Sequence, residues 1–268
     1  MDTLSGTNPV TIDSLTKEFY DCGLREGQTI LVHTSLKRLG WVVGGAETVV
    51  RALFRVVGPS GTLMVPTQTW KHFDAATGVP WAVPERVEHV VREHWPAYDP
   101  AVTPSVGMGR VAEMIRTWPG ANRSPHPVRS LTAVGPNARF LTEEQDLEDV
   151  YGDTSPIGKL YDLGGYILLL GVEHASNTSL HLAETRADYL GKRTTEETAA
   201  VLLADGREWI TYKALDLYAN DFNLLGNVYE TENNLPCHQI GQTKARFLEL
   251  RPLIDWAVKW MEQNRNLS

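Results

Sequence analysis

Short apolar runs recur along the chain, and each gives way to polar side chains. Gln28 to Val32 is the first, followed by His33, Thr34 and Ser35; "GTLMVPT" is the second, ending in Pro66 and Thr67; "GYILLLGV" is the third. Runs of this length bounded by turn-forming residues predict buried strands. Between the first two lies "GGAETVVRALFRVVGPSG", whose apolar positions repeat at helical spacing and stop at Gly-Pro. Strand, helix, strand predicts a βαβ unit with its two strands parallel. Helical patterns also run through "VTIDSLTKEFYDCG", with Thr11 as cap, Leu15, Phe19 and Tyr20 on one face and Gly23 as stop, and through "ERVEHVVREHW", "VGMGRVAEMIRTWPG", "NTSLHLAETRADYL" and "LRPLIDWAVKWMEQN". Asn177 or Thr178 is placed to cap the helix that carries "SLHLAE". "SLTAVGPNARFLT" begins as a strand and enters a turn, while "ETAAVLLADGREWITYKAL" breaks at Asp205-Gly206, a hairpin signature that predicts an antiparallel C-terminal part of the sheet. Without a repeat or a linker, the pattern predicts one α/β domain over 1–268 with a central mixed sheet flanked by helices.

Composition narrows the partners. With 268 residues, 42% hydrophobic and 22% charged, the chain is long enough to bury a large core. A net charge of -8 argues against nucleic acid, which requires clustered Lys and Arg, and is compatible with a cationic small molecule. Two cysteines, Cys22 and Cys237, make no disulfide framework and no metal knuckle, and Cys237 beside His238 reads as a buried structural thiol. No signal-peptide pattern opens the chain, and no stretch approaches the ~18 apolar residues of a membrane span, so the expected location is cytoplasmic.

Three stretches carry candidate chemistry. His181 and Glu184 are spaced i and i+3, which puts both on one helix face just after a buried strand. A carboxylate beside an imidazole holds its tautomer and stabilises the imidazolium, which suits a general base; a surface ion pair has the same spacing. In "LVHTSLKRLGWVVGG", Thr34 and Ser35 offer hydroxyl and N–H groups, and Gly40, Gly44 and Gly45 allow close backbone approach. Such a turn suits a phosphate or pantetheine chain, or simply caps the next helix; neither GxxxxGK[ST] nor GxGxxG is present. In "RSPHPVRSLTAVG", His126 sits between two prolines with Ser124 and Ser130 nearby, a stiff loop able to position a ligand or merely to turn. His89 and His94 do not form HExxH, no GxSxG elbow exists, and the acidic run Glu143 to Asp153 reads as a solvated face or a polyamine attractor.

Taken in order, "ILVHTSLKRLGWVVGGAETVVRAL", "GTLMVPTQTWKHFDAATGVP", "TPSVGMGRVAE", "RSPHPVRSLTAVG", "SPIGKLYDLGGYILLLGV" and "NTSLHLAE" closely resemble the aminoglycoside 3-N-acetyltransferase family, which lies outside the GNAT superfamily. The resemblance spans about residues 12 to 260. It implies an antibiotic N-acetyltransferase-type fold and acetyl transfer from acetyl-CoA, with no metal, to the 3-amino group of a 2-deoxystreptamine aminoglycoside in a ternary complex. By motif position it implies His181 as general base and Glu184 as its orienting partner. Thr34, Ser35, Leu36, Gly40 and Val43 would hold the CoA pyrophosphate and pantetheine; Pro66, Thr67, Thr103, Met108, Ser124 and His126 would complete the channel. The oxyanion would be stabilised by strand-exit N–H groups or the Thr67 hydroxyl, and Asp74, Glu184, Asp216 and Asp221 would receive substrate ammonium groups. Thr34 stands where many members have serine, a mild change that keeps the hydroxyl; Ala175 stands where many have aspartate and Glu173 where many have glycine, and this second difference bears on the range of antibiotics. Two alternatives keep the same residues: transfer to another primary amine such as an amino sugar or aminophosphonate, and binding of a cationic metabolite without turnover. A monomer and a homodimer are both compatible with the sequence.

Overall fold

The computed structural model describes residues 8–74 and 83–267. The end of the motif beginning "GTLMVPT", residues 75–80, lies outside them.

Helix α1 (Ile12–Cys22) opens with the expected cap: the Thr11 hydroxyl accepts from Ser14 N while Ser14 Oγ accepts from Thr11 N, and Gly23 closes the helix in the left-handed region at φ 112°. Leu15 and Phe19 are buried, but Tyr20 faces solvent under the Arg25 guanidinium. Strand β1 (Thr29–Thr34), α2 (Ala46–Val57) and β2 (Thr62–Pro66) form the βαβ unit, with β1 and β2 parallel in the register Thr29 to Thr62. After α3 (Glu85–His94) and α4 (Arg110–Arg116) come β3 (Asn122–Arg123), β4 (Leu131–Val134), α5 (Ala138–Thr142) and α6 (Pro156–Asp162). Strand β5 (Tyr166–Leu170), the third apolar run, lies parallel to β1 on its other side.

Helix α7 (Leu180–Arg186) is shorter than the pattern predicts and has Ser179 at its N-cap, two residues beyond Asn177. Strands β6 (Thr194–Leu203) and β7 (Gly206–Leu215) form the expected hairpin, with Leu203 opposite Gly206. They make a separate two-stranded sheet, however, and the antiparallel C-terminal strands of the main sheet are β8 (His238–Ile240) and β9 (Thr243–Glu249). Their polar stretch, "HQIGQTKARFLE", lacks the apolar run that marks β1, β2 and β5. Helices α8 (Phe222–Glu232) and α9 (Leu250–Asn264) complete the set.

The main sheet has seven strands in the order β3-β4-β2-β1-β5-β9-β8, with β2, β1 and β5 parallel at its centre. Alternation along the strands divides the core. Ile30, Val32, Leu63 and Val65 face α1, α2 and α4, whereas Leu31, Met64, Ile167 and Leu169 face α6 to α9. Each fully buried aliphatic side chain of this kind contributes about 1.5–3 kcal/mol of transfer free energy, so both faces of the central strands anchor their ends. The carboxyl ends of three parallel neighbours therefore lie side by side, where open α/β sheets hold ligands.

Candidate active site

A cleft of about 1070 Å³ opens at those carboxyl ends. Val32, His33 and Thr34 reach it from β1, Pro66 from β2, and Val172 with Ala175 to Thr178 from the segment after β5; Asp216 and Leu217 close it beyond β7. Ser35 N donates to Leu170 O at 2.9 Å, fastening the β1 exit to the β5 exit. Behind it, a single 3-10 turn over Leu36–Leu39 ends at Gly40, whose φ of 86° favours glycine and whose missing Cβ would stand 2.5 Å from the Gln242 side chain.

His181 stands in this cleft with its side chain 14% exposed. Its ring stacks on Tyr151, centroids 5.2 Å apart and planes within 10°, and packs against Phe222 at 4.9 Å. Nδ1 lies 2.6 Å from Glu184 Oε2. Glu184 is fully buried, and its other oxygen accepts from Arg265 Nη1 at 2.8 Å, Tyr218 N at 2.8 Å and Tyr189 OH at 3.4 Å. A buried carboxylate is tolerated only when paired and hydrogen-bonded, as this one is. Burial works to lower the pKa of Arg265, but Asp221 and Glu184 more than offset it, so the guanidinium holds its proton more tightly than usual. In the tautomer that carries its hydrogen on Nδ1, the imidazole donates to the Glu184 carboxylate and keeps the Nε2 lone pair toward the cleft.

Other side chains brace the walls. Arg129 forms a bidentate pair with Glu197 of β6, Nη2 to Oε1 at 2.5 Å, and lies over the rings of Trp70 and Phe73. Gln68 Nε2 donates to Tyr151 OH at 2.8 Å, holding the ring on which His181 stacks. His33, on the cleft floor, is pushed down to about 3 by burial and stays neutral. Segment 172–177 is tied to α8 by Ala175 N donating to Asn223 Oδ1 at 2.6 Å and by His174 Nε2 against Glu230 at 2.7 Å. The approach at Gly226 is so close that a Cβ there would meet the His174 ring at 2.1 Å.

The structure brings Thr34, Ser35, Leu36, Gly40, Pro66, Met108, Asp216 and His181 onto the cleft, with Glu184 directly behind His181. Other predicted residues stand elsewhere. Val43 is 46% exposed and off the lining. Thr67 is fully buried; its hydroxyl meets Thr132 Oγ1 at 2.9 Å and its N–H donates to Ser130 O, so neither group is free for an oxyanion. Thr103 Oγ1 accepts from Asp99 N at 2.9 Å, and Ser124 Oγ donates to Gln145 and accepts from Leu131 N. His126 is fully buried, its Nδ1 accepting from Val128 N and Arg129 N, and burial together with Arg129 holds its pKa well below the ordinary value. Its effect on the cleft is indirect, through the backbone that places Arg129. Asp74 pairs with Arg92 at 3.2 Å and Asp221 with Arg265 at 2.7 Å, so these two carboxylates are committed outside the lining. Asp216 pairs with the exposed Arg193, and Ala175 lies on the wall while Glu173 turns to Arg246. Cys237 is exposed, against the buried thiol expected from sequence, and Cys22 is buried.

Sequence reading missed Lys37 and Arg110, two cations on the lining, although both sit inside the quoted motifs. It also missed Tyr151, Phe222, Arg129 with Glu197, and Arg265, all set by contacts distant in sequence. Among the described residues no three His, Cys, Asp or Glu side chains gather as a metal site, and no helix is long and apolar enough to cross a membrane.

Comparison with known proteins gives the class first: the fold is that of aminoglycoside acetyltransferases, as the crystal structure of AAC(3)-Xa, superposing with a TM-score of 0.89 at 32% identity, shows. The crystal structure of the YokD protein from Bacillus subtilis superposes with a TM-score of 0.90 at 35% identity, covering 96% of this chain and 100% of that one. A structure of AAC-IIIb in binary complex with CoASH superposes at 0.87 with 28% identity, covering 97% and 99%. One of AAC-VIa bound to sisomicin also superposes at 0.87 with 28% identity, covering 97% and 100%. In sequence, the prophage-derived aminoglycoside N(3')-acetyltransferase-like protein YokD of Bacillus subtilis is 36% identical over 97% of this chain and 95% of its own. Aminoglycoside N(3)-acetyltransferase VII of Streptomyces paromomycinus is 33% identical over 95% and 92%. The family model for aminoglycoside 3-N-acetyltransferase matches residues 31–262, and the chain belongs to that family.

Proposed function

We propose that the protein transfers the acetyl group of acetyl-CoA directly to the 3-amino group of a 2-deoxystreptamine aminoglycoside, with both substrates in the cleft together. The observation that carries this reading is the 2.6 Å contact between His181 Nδ1 and a fully buried, counter-charged Glu184, on a ring that faces the cleft. An ammonium is not a nucleophile, so the substrate must lose a proton beside the thioester, and Nε2 is the base placed to accept it. The strand exit at Thr34 and Ser35, with Leu36, Gly40, Pro66 and Met108, forms the wall for the pantetheine arm. Lys37 and Arg110 supply positive charge for the phosphates of the coenzyme. Cleft residues thus fit a long anionic co-substrate at one end and a base at the other. Among the described residues the cleft lining holds no cysteine, which agrees with direct transfer rather than an acyl-enzyme on a thiol.

A second reading, transfer to a smaller primary amine such as an amino sugar, is favoured by one observation. The carboxylates on the described lining are Glu197 and Asp216, and Glu197 is already neutralised by Arg129. A polycation would meet few free acids there. The test is thiol release from acetyl-CoA with a panel of 2-deoxystreptamine aminoglycosides and simpler amines, for the wild type and H181A. The reading expects turnover with aminoglycosides and a kcat loss of roughly 10²-fold or more in H181A with CoA binding retained. Near-normal turnover in H181A removes the base assignment, and activity confined to simple amines selects the second acceptor class.

A further inference from the structure

Asn177 occupies the cleft wall in the link between β5 and α7, itself outside any helix and four residues ahead of His181, which also lines the cleft. Three of its four polar groups are taken. Its N–H donates to His174 O at 2.8 Å, its carbonyl accepts from Leu180 N at 3.1 Å, and Oδ1 accepts from Ser179 N at 3.3 Å and Ser179 Oγ at 2.6 Å. A backbone N–H can only donate, so the atom facing Ser179 is the oxygen and the amide cannot be flipped. That fixes Nδ2 on the other side, where it is buried with no hydrogen-bond partner among the described residues, in a side chain with no exposed surface. Leaving a buried donor unpaired costs free energy, and a donor left so at the wall of the cleft calls for a partner there.

We propose that Asn177 Nδ2 donates to the thioester carbonyl oxygen of acetyl-CoA and stabilises the oxyanion formed there. This assignment rests on the acetyl-transfer reading above and extends it to the electrophilic side of the reaction. Once the ammonium's first proton has passed through His181 to solvent, the neutral amine nitrogen forms the new C–N bond as its second proton passes to His181 Nε2, and the carbonyl π pair moves onto oxygen, where the amide N–H receives it. Collapse re-forms C=O, breaks C–S, and sends the proton from His181 to the departing thiolate, so amine and thioester become amide and free thiol. Donor and base arise from one short segment, 177–181, whose geometry is fixed by the Ser179 contact. The Thr67 hydroxyl is committed to Thr132 and leaves this role open. A donor aimed before the charge develops acts most strongly where water is excluded.

The deciding variant is N177D. It retains an oxygen to accept from Ser179 N and Oγ, so the turn into α7 survives, but it replaces the donor by an acceptor. For an oxyanion donor, kcat falls by roughly 10²–10³-fold while the KM for acetyl-CoA stays near wild type; the second aspartate oxygen, buried without a donor, lowers the Tm whichever role Asn177 has. If Asn177 only supports the turn, N177D turns over normally while N177A loses Tm and CoA affinity along with turnover, and the assignment is overturned. A rise in KM for acetyl-CoA with kcat unchanged also overturns it, because the contact then serves ground-state binding alone. Should N177D not fold, N177A gives the reading: a kcat loss of the same order with CoA affinity intact supports the donor, and near-normal kcat sinks it. A wild-type protein that releases no thiol with any amine overturns the acetyl-transfer reading and this assignment together, whereas an active wild type with an equally active N177D overturns this assignment alone.

Discussion

Glu184 presents one oxygen to His181 and the other to Arg265 and the Tyr218 N–H, and in the proposed mechanism this division sets which imidazole nitrogen carries the proton. In E184Q the amide oxygen is drawn to Arg265 and Tyr218, both of which can only donate, so its NH₂ turns to His181 Nδ1. The imidazole must then accept at Nδ1 and carry its hydrogen on Nε2, the wrong tautomer for a base. A histidine locked in the wrong tautomer loses roughly 10²–10⁴ in kcat, because geometry is kept while the lone pair is misplaced. Arg265 retains Asp221, so the fold should persist. Stopped-time thiol release across pH 6 to 9 is the measurement: a uniformly low kcat is expected, and less than a fivefold loss would show that the carboxylate charge is dispensable.

Hairpin β6–β7 lies outside the main sheet, and its hold on the molecule is local. The anchors are the Arg129–Glu197 pair, Asp74 N on Thr198 O, Tyr98 N on Ala200 O, and Arg207 on the carbonyls of Arg92 and Glu93. Of these the buried pair is the most consequential, since removing one partner strands the other charge. E197L is expected to lower stability by about 3–5 kcal/mol, and R129M/E197L to recover most of it, because a matched apolar pair restores what an unpaired guanidinium loses. Urea unfolding of the two variants reads this directly, and a single variant as stable as the double would mean that water already screens Arg129. Elements with a private sequence signature were legible: the capped α1, the βαβ unit, the hairpin and the helix of His181 all follow from apolar period and turn residues. The main-sheet strands β8 and β9 were not, because their alternation is weak and their pairing is set by β5. At the site, His181 and Glu184 share a helix turn and could be read from spacing, whereas Arg265 reaches Glu184 from 81 residues away and Tyr151 emerges from an acidic run. Thr67, Ser124 and His126 misled for a related reason: polar side chains at strand ends serve backbone N–H and carbonyl groups as readily as ligands.

At the scale of the whole molecule, folding buries several neutral imidazoles, which makes stability depend on pH. His33 is pushed down to about 3 and His72 to about 4, each chiefly by burial, and His126 is held well below its ordinary value. An unfolded chain takes up protons on these rings below about pH 6.5, while the folded one does not. The unfolded state therefore binds more protons as pH falls, and stability, full above about pH 6.5, drops by up to about 1.4 kcal/mol per pH unit for each such histidine. That loss ends near pH 3 for His33 and near pH 4 for His72, where the folded protein itself becomes protonated. Between pH 6.5 and 5, above the range where most carboxylates titrate, His33 alone accounts for about 2 kcal/mol. Urea midpoints at half-unit steps over that interval should fall steadily, and H33Q should flatten the slope whatever it does to absolute stability. A midpoint that stays level from pH 7 to 5 would mean that these rings protonate in the folded state, and the neutral floor assigned to the cleft would have to be abandoned.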